Sequence, residues 1–489
     1  MVAGKLAGLS KDALLYGIGD ALGRLIGLIL LPVLTRVFGP SDYGRLDILS
    51  ISYVFLLFVA QLNIPSGVQR FYYRNEARGR QEMVSSSYVF MAFAALGVAG
   101  LIALLSGWIA SQFGDHSHAM QASVLLLAAA LPVEATWSYF LLLLRLRRKP
   151  VAFSVANAAR VVLTPGLTVL LVVLMEQGIV GVFRAKFVSL TLLTIGLFPF
   201  VRGDFNRRVR FRTFQEVCAF SLPGHPAILL RQVLVLAPRY LLAYFAPLSA
   251  VGLFGIAMRI SNVMKIYVAA FNRAWNPFAY QNEGTRDERA IYELAFKGFS
   301  ASLLVLVMML SLFSSNLLRL LTTPEYHGAA LLVPGIALHF AMDGPARIFS
   351  TALYTRGRVQ TTSYLAMLRM GVFLLSGIVL TPRFGAAGMV ASLALASIVF
   401  GVAYGVIAYR TLPFPIPVAR LCVLTVVAVG IPVTIATYEL GPIESVPVKL
   451  LLILGMVFSL AVSLFSAQQR RRGVEQLRLV LRREQASDA

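Results

Sequence analysis

Long apolar windows recur along this chain from Ala13 almost to its C-terminus, and only short polar breaks separate them. A membrane-spanning helix needs about 20 predominantly apolar residues, and about fourteen windows reach that length. They cover roughly residues 13–34, 45–63, 84–107, 119–143, 152–175, 178–200, 216–238, 246–268, 294–318, 328–350, 363–381, 385–409, 419–438 and 447–467. The composition agrees, because 58% of the residues are hydrophobic and only 13% are charged. The sequence therefore predicts an all-α integral membrane protein with about 14 transmembrane helices.

Basic residues follow the even-numbered windows and are nearly absent after the odd-numbered ones. The segment "RLRRK" follows window 4, whereas "MEQGIVG" and "APLSAVG", which follow windows 5 and 7, contain no Lys or Arg. Loops rich in Lys and Arg stay in the cytoplasm. The alternation predicts a multi-pass protein of a bacterial cytoplasmic (inner) membrane with both termini in the cytoplasm. Membrane orientation thus explains the net charge of +22, and no nucleic-acid partner is expected.

A short turn pattern rich in Gly and Pro repeats with an offset of six windows. It reads "TRVFGPSDYGRLDIL" after window 1 and "AYFAPLSAVGLFGIA" after window 7, with a related pair after windows 5 and 11. The offset predicts two six-helix lobes at 1–212 and 213–410, two appended helices at 411–467 and a basic cytoplasmic tail at 468–489. Such internal duplication is typical of transporters that carry their substrate between two halves.

Ionisable residues inside the windows cost about 2.5–3.5 kcal/mol each at the bilayer centre, so they normally face a protein interior or a watery cavity. The acidic candidates are Asp20, Asp47, Glu134 and Asp343. The basic candidates outnumber them and are Arg24, Arg160, Arg184, Lys186, Arg231, Arg239, Arg259, Lys265, Arg347 and Arg369. A surplus of guanidinium groups predicts an environment that attracts anions, above all phosphate.

Two acidic residues have an arginine four positions later on the same helix face. Asp20 precedes Arg24, and Asp343 precedes Arg347, with His339 one turn before that pair. Each pair could neutralise itself and be structural, or it could take part in binding or in coupling to a cation. The sequence leaves both interpretations open.

The N-terminal region resembles that of polysaccharide-unit flippases (Wzx-like, polysaccharide transporter family) of the multidrug/oligosaccharidyl-lipid/polysaccharide exporter superfamily. The resemblance rests on Thr35-Arg36, Gly39-Pro40, Tyr43-Gly44 and Arg70-Phe71-Tyr72 within 13–74, and on Arg239, Gly252 and Trp275-Asn276-Pro277-Phe278 within 239–282. Family members often carry an acidic residue just before the arginine that closes window 7. Here that position is Pro238, so Arg239 is expected to lack a neighbouring partner.

The resemblance implies a flippase that translocates a polyprenyl-diphosphate-linked oligosaccharide by alternating access, for cell-surface polysaccharide such as O-antigen or exopolysaccharide. Its partners would be that anionic diphosphate lipid, membrane lipids and polysaccharide polymerase machinery. Two alternatives stay open: a flippase of a peptidoglycan precursor (lipid II type) and a cation-coupled multidrug antiporter. The residues expected to bind the head group are Arg24, Arg160, Arg231, Arg239, Arg259, Arg369 and Arg70, and those expected to couple or orient are Asp20, Asp343 and His339.

Motifs for cofactor chemistry are absent from the sequence. It contains no G-x-x-x-x-G-K-[ST] phosphate loop, no H-E-x-x-H and no paired C-x-x-C. We therefore expect no ATP hydrolysis, no cofactor and no metal. The predicted outer loops are too short for the acidic or histidine-bearing loop of a membrane transferase, which favours a transporter over an enzyme.

Overall fold

The computed structural model describes residues 30–74, 76–113, 118–206, 208–438, 446–466 and 469, and these residues form helices without any strand. Twelve helices in this part of the chain are long and apolar enough to cross a membrane. The prediction of an all-α integral membrane protein is confirmed. Window 1 lies largely outside the described residues, as does the tail at 468–489 apart from Gln469, so the exact number of spans stays a prediction.

The chain divides into two compact units, Met1–Tyr240 and Leu241–Ala489. Helices of the first unit are α1 (Leu31–Val37), α2 (Pro40–Gln61), α3 (Ile64–Phe71), α4 (Ala77–Leu104), α5 (Ser106–Ser111), α6 (His118–Leu146), α7 (Pro150–Val169), α8 (Gly178–Val201), α9 (Phe211–Ser221) and most of α10 (His225–Phe245). Helix α6 packs against α2, α4 and α8, and it is the most buried described span of this unit. Glu134, in the middle of α6, is therefore surrounded by protein rather than lipid.

The second unit contains α11 (Leu248–Gln281), α12 (Glu288–Leu312), α13 (Ser314–Leu321), α14 (Val333–Thr355), α15 (Val359–Thr411), α16 (Val418–Tyr438) and α17 (Val446–Leu464). Helix α14 packs against α11, α12 and α15, and its span is the most buried of those described in this unit. Helix α14 thus holds the central place in its unit that α6 holds in the other.

Helix α15 covers two of the predicted windows, 363–381 and 385–409. Its regular geometry is interrupted at Gly385, whose φ of 54° lies in the left-handed region. A Cβ atom on Gly388 would lie 2.2 Å from the Leu380 carbonyl oxygen, so only glycine allows the chain to approach itself so closely there. This agrees with the turn pattern identified in the sequence after window 11.

Window 7 does not form one helix from residue 216. The chain instead forms α9, a short 3-10 turn at Leu222–Gly224 and then α10, because Pro223 and Gly224 break the helix. Gly67 on α3 explains why α9 can pack there: a Cβ atom at that position would lie 2.4 Å from the Ser221 hydroxyl oxygen. The apolar run was long enough for a span but did not reveal this break.

Candidate functional site

A cluster of three charged side chains lies within the first unit. Glu134 on α6 is 5% exposed and accepts two bonds from Arg160 on α7, with Nη1 2.7 Å from Oε1 and Nη2 3.0 Å from Oε2. Lys186 on α8 lies on the other side, with Nζ 3.9 Å from Oε2. The Tyr53 hydroxyl donates to the same oxygen at 3.3 Å, and Lys186 Nζ lies 3.3 Å from the centre of the Tyr53 ring.

Among the described residues, this cluster carries two cations and one carboxylate. Arg160 and Glu134 form a bidentate ion pair with two parallel hydrogen bonds, so the charge of Arg160 is largely compensated. Lys186 is at the limit of ion-pair distance and relies on the aromatic face of Tyr53 for part of its stabilisation. The surplus positive charge of the cluster is therefore best assigned to Lys186, a basic residue of window 6 that is not among the residues expected from the sequence to bind the head group.

Arg239 has a partner, contrary to the expectation drawn from Pro238. Its Nε donates to Asp47 Oδ2 at 2.9 Å, and its Nη1 donates to the Val235 carbonyl oxygen at 3.0 Å. Arg239 and Asp47 are each 7% exposed. The acid comes from α2, 192 positions away in sequence, where no local spacing rule could point to it. The pair is buried and satisfied, which is the geometry of a structural ion pair.

The second unit contains one acidic residue of the predicted site, and its partner differs from the predicted one. Asp343 on α14 lies 2.6 Å from Nη1 of Arg369 on α15 and forms no ion pair with Arg347. Arg347 is exposed. The physical reason is that α14 and α15 pack closely, so an arginine from the neighbouring helix reaches the carboxylate directly and displaces the pairing along one helix.

Arg369 also connects Asp343 to His339, which the sequence placed one turn before it. Its Nη2 donates to Ser397 Oγ at 3.0 Å and lies 3.3 Å from His339 Nδ1, which is 2.6 Å from Ser397 Oγ. The guanidinium lies 4.9 Å from the centre of the Phe400 ring. The structure thus brings together three of the predicted residues in one network, and the charges of Asp343 and Arg369 balance.

The remaining predicted residues are in different positions. Arg231 on α10 is exposed and forms no ion pair with any described residue. Arg259 on α11 is half-buried, and Arg70 at the end of α3 is exposed with its guanidinium 4.4 Å from the centre of the Phe220 ring. Asp20 and Arg24 lie outside the described residues.

A family model described as "Polysaccharide biosynthesis protein" matches residues 9–283, which is more than half of the chain. The chain belongs to this family. A relative within the curated proteins, protein 1 of the Lsg locus of Haemophilus influenzae, is 20% identical over 384 residues, which cover 76% of this chain and 91% of the relative.

The fold of this polysaccharide biosynthesis family member is also found in solved transporter structures. One is the lipid II flippase MurJ in an inward closed conformation, with a TM-score of 0.71, 13% identity and coverage of 92% of this chain and 98% of that one. Another is an inward-facing multidrug resistance MATE family transporter of the MOP superfamily, with a TM-score of 0.65, 13% identity and coverage of 84% and 98%. The predicted resemblance to a polysaccharide family is confirmed by the family model, and the two solved structures show that this chain has the fold of multi-pass membrane transporters.

Proposed function

We propose that this protein translocates a polyprenyl-diphosphate-linked oligosaccharide across the bacterial cytoplasmic membrane by alternating access, as a step in cell-surface polysaccharide assembly. The family supports a role in polysaccharide biosynthesis. The proposal includes cytoplasmic termini, the lobes 1–212 and 213–410, and delivery of the product to polysaccharide polymerase machinery. Among the predicted residues, Arg231 and Arg24 are proposed to attract the diphosphate, and Arg70 and Arg259 to support them.

The observation that carries the proposal is the uncompensated charge beside Glu134. Arg160 and Lys186 share one carboxylate, so the described part of the first unit has one surplus positive charge at this cluster. An uncompensated cation in a membrane span is costly and usually marks a substrate or ion pathway. A diphosphate supplies the missing negative charge, whereas a cationic drug would be repelled.

Complementation tests this proposal in a bacterial strain that lacks its own repeat-unit flippase. Wild type is expected to restore surface polysaccharide, and Lys186→Gln is expected to lower the restored amount about fivefold, since one cation near an anionic group contributes about 1 kcal/mol. Arg184→Gln is the matched control, because Arg184 lies on the same helix but is exposed and bonded to Gln177 at 2.8 Å. All proteins are compared at equal membrane levels.

The same experiment addresses the alternative functions. Rescue of a strain depleted of its peptidoglycan-precursor flippase, without restored surface polysaccharide, would assign the protein to that substrate. Protection of a drug-sensitive strain alone would assign it to drug export. Equal activity of Lys186→Gln and wild type would refute the binding role of Lys186.

A further inference from the structure

A cleft of about 570 Å³ lies at one end of the first unit, away from the charged cluster on Glu134. Its lining combines four cationic side chains with one acidic one and comes from the segments that follow α3, α6 and α8 and from the start of α4. The lining residues are Tyr72, Tyr73, Arg80, Gln81, Leu146, Arg147, Arg148, Lys149, Gly203 and Asp204. The volume is within the range of small-molecule sites.

The acidic residue does not neutralise the cleft. Arg147 contacts Asp204 at 2.6 Å and also donates to the Phe200 carbonyl oxygen at 3.1 Å, so these two charges compensate each other. Arg148 and Lys149 are exposed and form no ion pair with any described residue. The cleft therefore offers two cationic side chains, Arg148 and Lys149, that form no ion pair with a carboxylate among the described residues.

The backbone at Arg148 is strained. Its φ is 53°, and the bonds from Arg148 N to the Arg145 carbonyl and from Lys149 N to the Leu144 carbonyl form the Schellman arrangement that closes α6. Glycine is the favoured residue at that left-handed position, since a Cβ atom is disfavoured there. An arginine at this position keeps a cationic side chain at the cleft at the expense of local stability, which is a pattern typical of functional sites.

Arg147, Arg148 and Lys149 belong to the basic segment after window 4, and the positive-inside rule places this end of the helices in the cytoplasm. The cytoplasmic leaflet is rich in anionic phospholipid head groups. We propose that this cleft binds the phosphate of a lipid head group. Arg148 and Lys149 bind the phosphate, and Arg80 borders it. Phosphatidylglycerol and a diphosphate-linked sugar lipid share this chemistry. The proposal rests on the proposed topology but goes beyond the proposed function, because it holds whichever substrate is transported.

Native mass spectrometry of the full-length, delipidated protein in detergent tests the proposal with three probes: phosphatidylglycerol, a polyprenyl diphosphate carrying one sugar, and inorganic pyrophosphate. The variant Arg148→Gly/Lys149→Gln is expected to bind at least one of the lipids about 30-fold more weakly, which corresponds to about 2 kcal/mol. Arg145→Gln is the matched control, because Arg145 is an exposed cation of the same segment that does not line the cleft. Thermal unfolding checks that the variants are folded. The single variant Arg148→Gly is expected to have a Tm equal to or higher than that of wild type, because glycine is favoured at a left-handed position.

The three probes distinguish the sources of the head group. Charge-dependent binding of phosphatidylglycerol supports a site for bulk phospholipid, and selective binding of the sugar lipid supports a site for a lipid-linked sugar. Binding of pyrophosphate alone overturns the proposal of a lipid head group. Equal affinities of wild type, the double variant and Arg145→Gln for every probe overturn the site itself.

Discussion

Glu134→Gln removes the negative charge of the cluster on α6, α7 and α8 while keeping the size of the side chain. Arg160 and Lys186 then lie near each other with no carboxylate between them. Removing one partner of a buried ion pair typically costs about 3–5 kcal/mol, since the other charge stays desolvated. The side chains of Arg160 and Lys186 are 24% and 25% exposed, so water solvates part of their charge. We therefore expect Glu134→Gln to lower the free energy of unfolding by about 3 kcal/mol, the lower end of that range.

Lys186→Gln provides the comparison within the same cluster. The substitution removes a weak attraction to Glu134, whose nearest oxygen is 3.9 Å away, and at the same time removes the repulsion between Lys186 and Arg160. These effects oppose each other, so we expect a change within about 1 kcal/mol. In the double variant Glu134→Gln/Lys186→Gln only one unpaired cation is left, so about half of the loss should be recovered, as residues in one network are not additive.

Unfolding titrations in mixed detergent micelles, followed by far-ultraviolet circular dichroism, measure these free energies. Circular dichroism suits the protein because its described residues are helical. The reasoning would be refuted if Lys186→Gln destabilised the protein as strongly as Glu134→Gln, because Lys186 would then be a required partner of the carboxylate and not the surplus charge.

Two further ion pairs give predictions that the same titrations measure. Arg239→Gln is expected to lower the free energy of unfolding by about 3–5 kcal/mol, because Asp47 is left buried and uncompensated. Adding Asp47→Asn to that variant should restore much of the lost stability, and no recovery would contradict the assignment of the pair. Asp343→Asn is expected to destabilise by about 1–3 kcal/mol, the usual cost of an unsatisfied buried partner. Arg347→Gln should change the free energy of unfolding by less than about 0.5 kcal/mol, as a substitution at an exposed position does. If Asp343→Asn and Arg347→Gln had equal effects, the pairing of Asp343 with Arg347 predicted from the sequence would be supported instead.

The sequence predicted the helices well because a membrane allows few alternatives. A backbone inside lipid must satisfy its hydrogen bonds internally, so a long apolar window is almost obliged to be a helix. The windows 119–143 and 178–200 correspond to α6 (His118–Leu146) and α8 (Gly178–Val201) with ends that agree within a few residues. The single helix predicted for window 7 was wrong, because hydropathy averages over the Pro223-Gly224 break that separates α9 from α10.

Ion pairs between different helices could not be predicted from the sequence, because they depend on which helix faces pack together. The rule that positions four apart share a helix face correctly placed Asp343 and His339 together, but it selected Arg347 as the partner when α15 supplies Arg369. The same limitation hid the bond between Arg239 and Asp47. The presence of acidic residues inside the windows was the available signal, since each of them needs a partner in a membrane. The identity of the partner needed the packing of the helices.

These pairings change how the positive surplus of the spans should be understood. Three of the arginines expected to bind the head group, Arg160, Arg239 and Arg369, each contact a carboxylate at 2.9 Å or less. A transporter must release its substrate as well as bind it, and a ligand held by many unpaired guanidinium groups would leave slowly. By pairing these three arginines with carboxylates within the fold, the protein lowers the cost of their charge in the membrane. In the proposed function, a few cations, with Lys186 the clearest of those described, attract the diphosphate without trapping it.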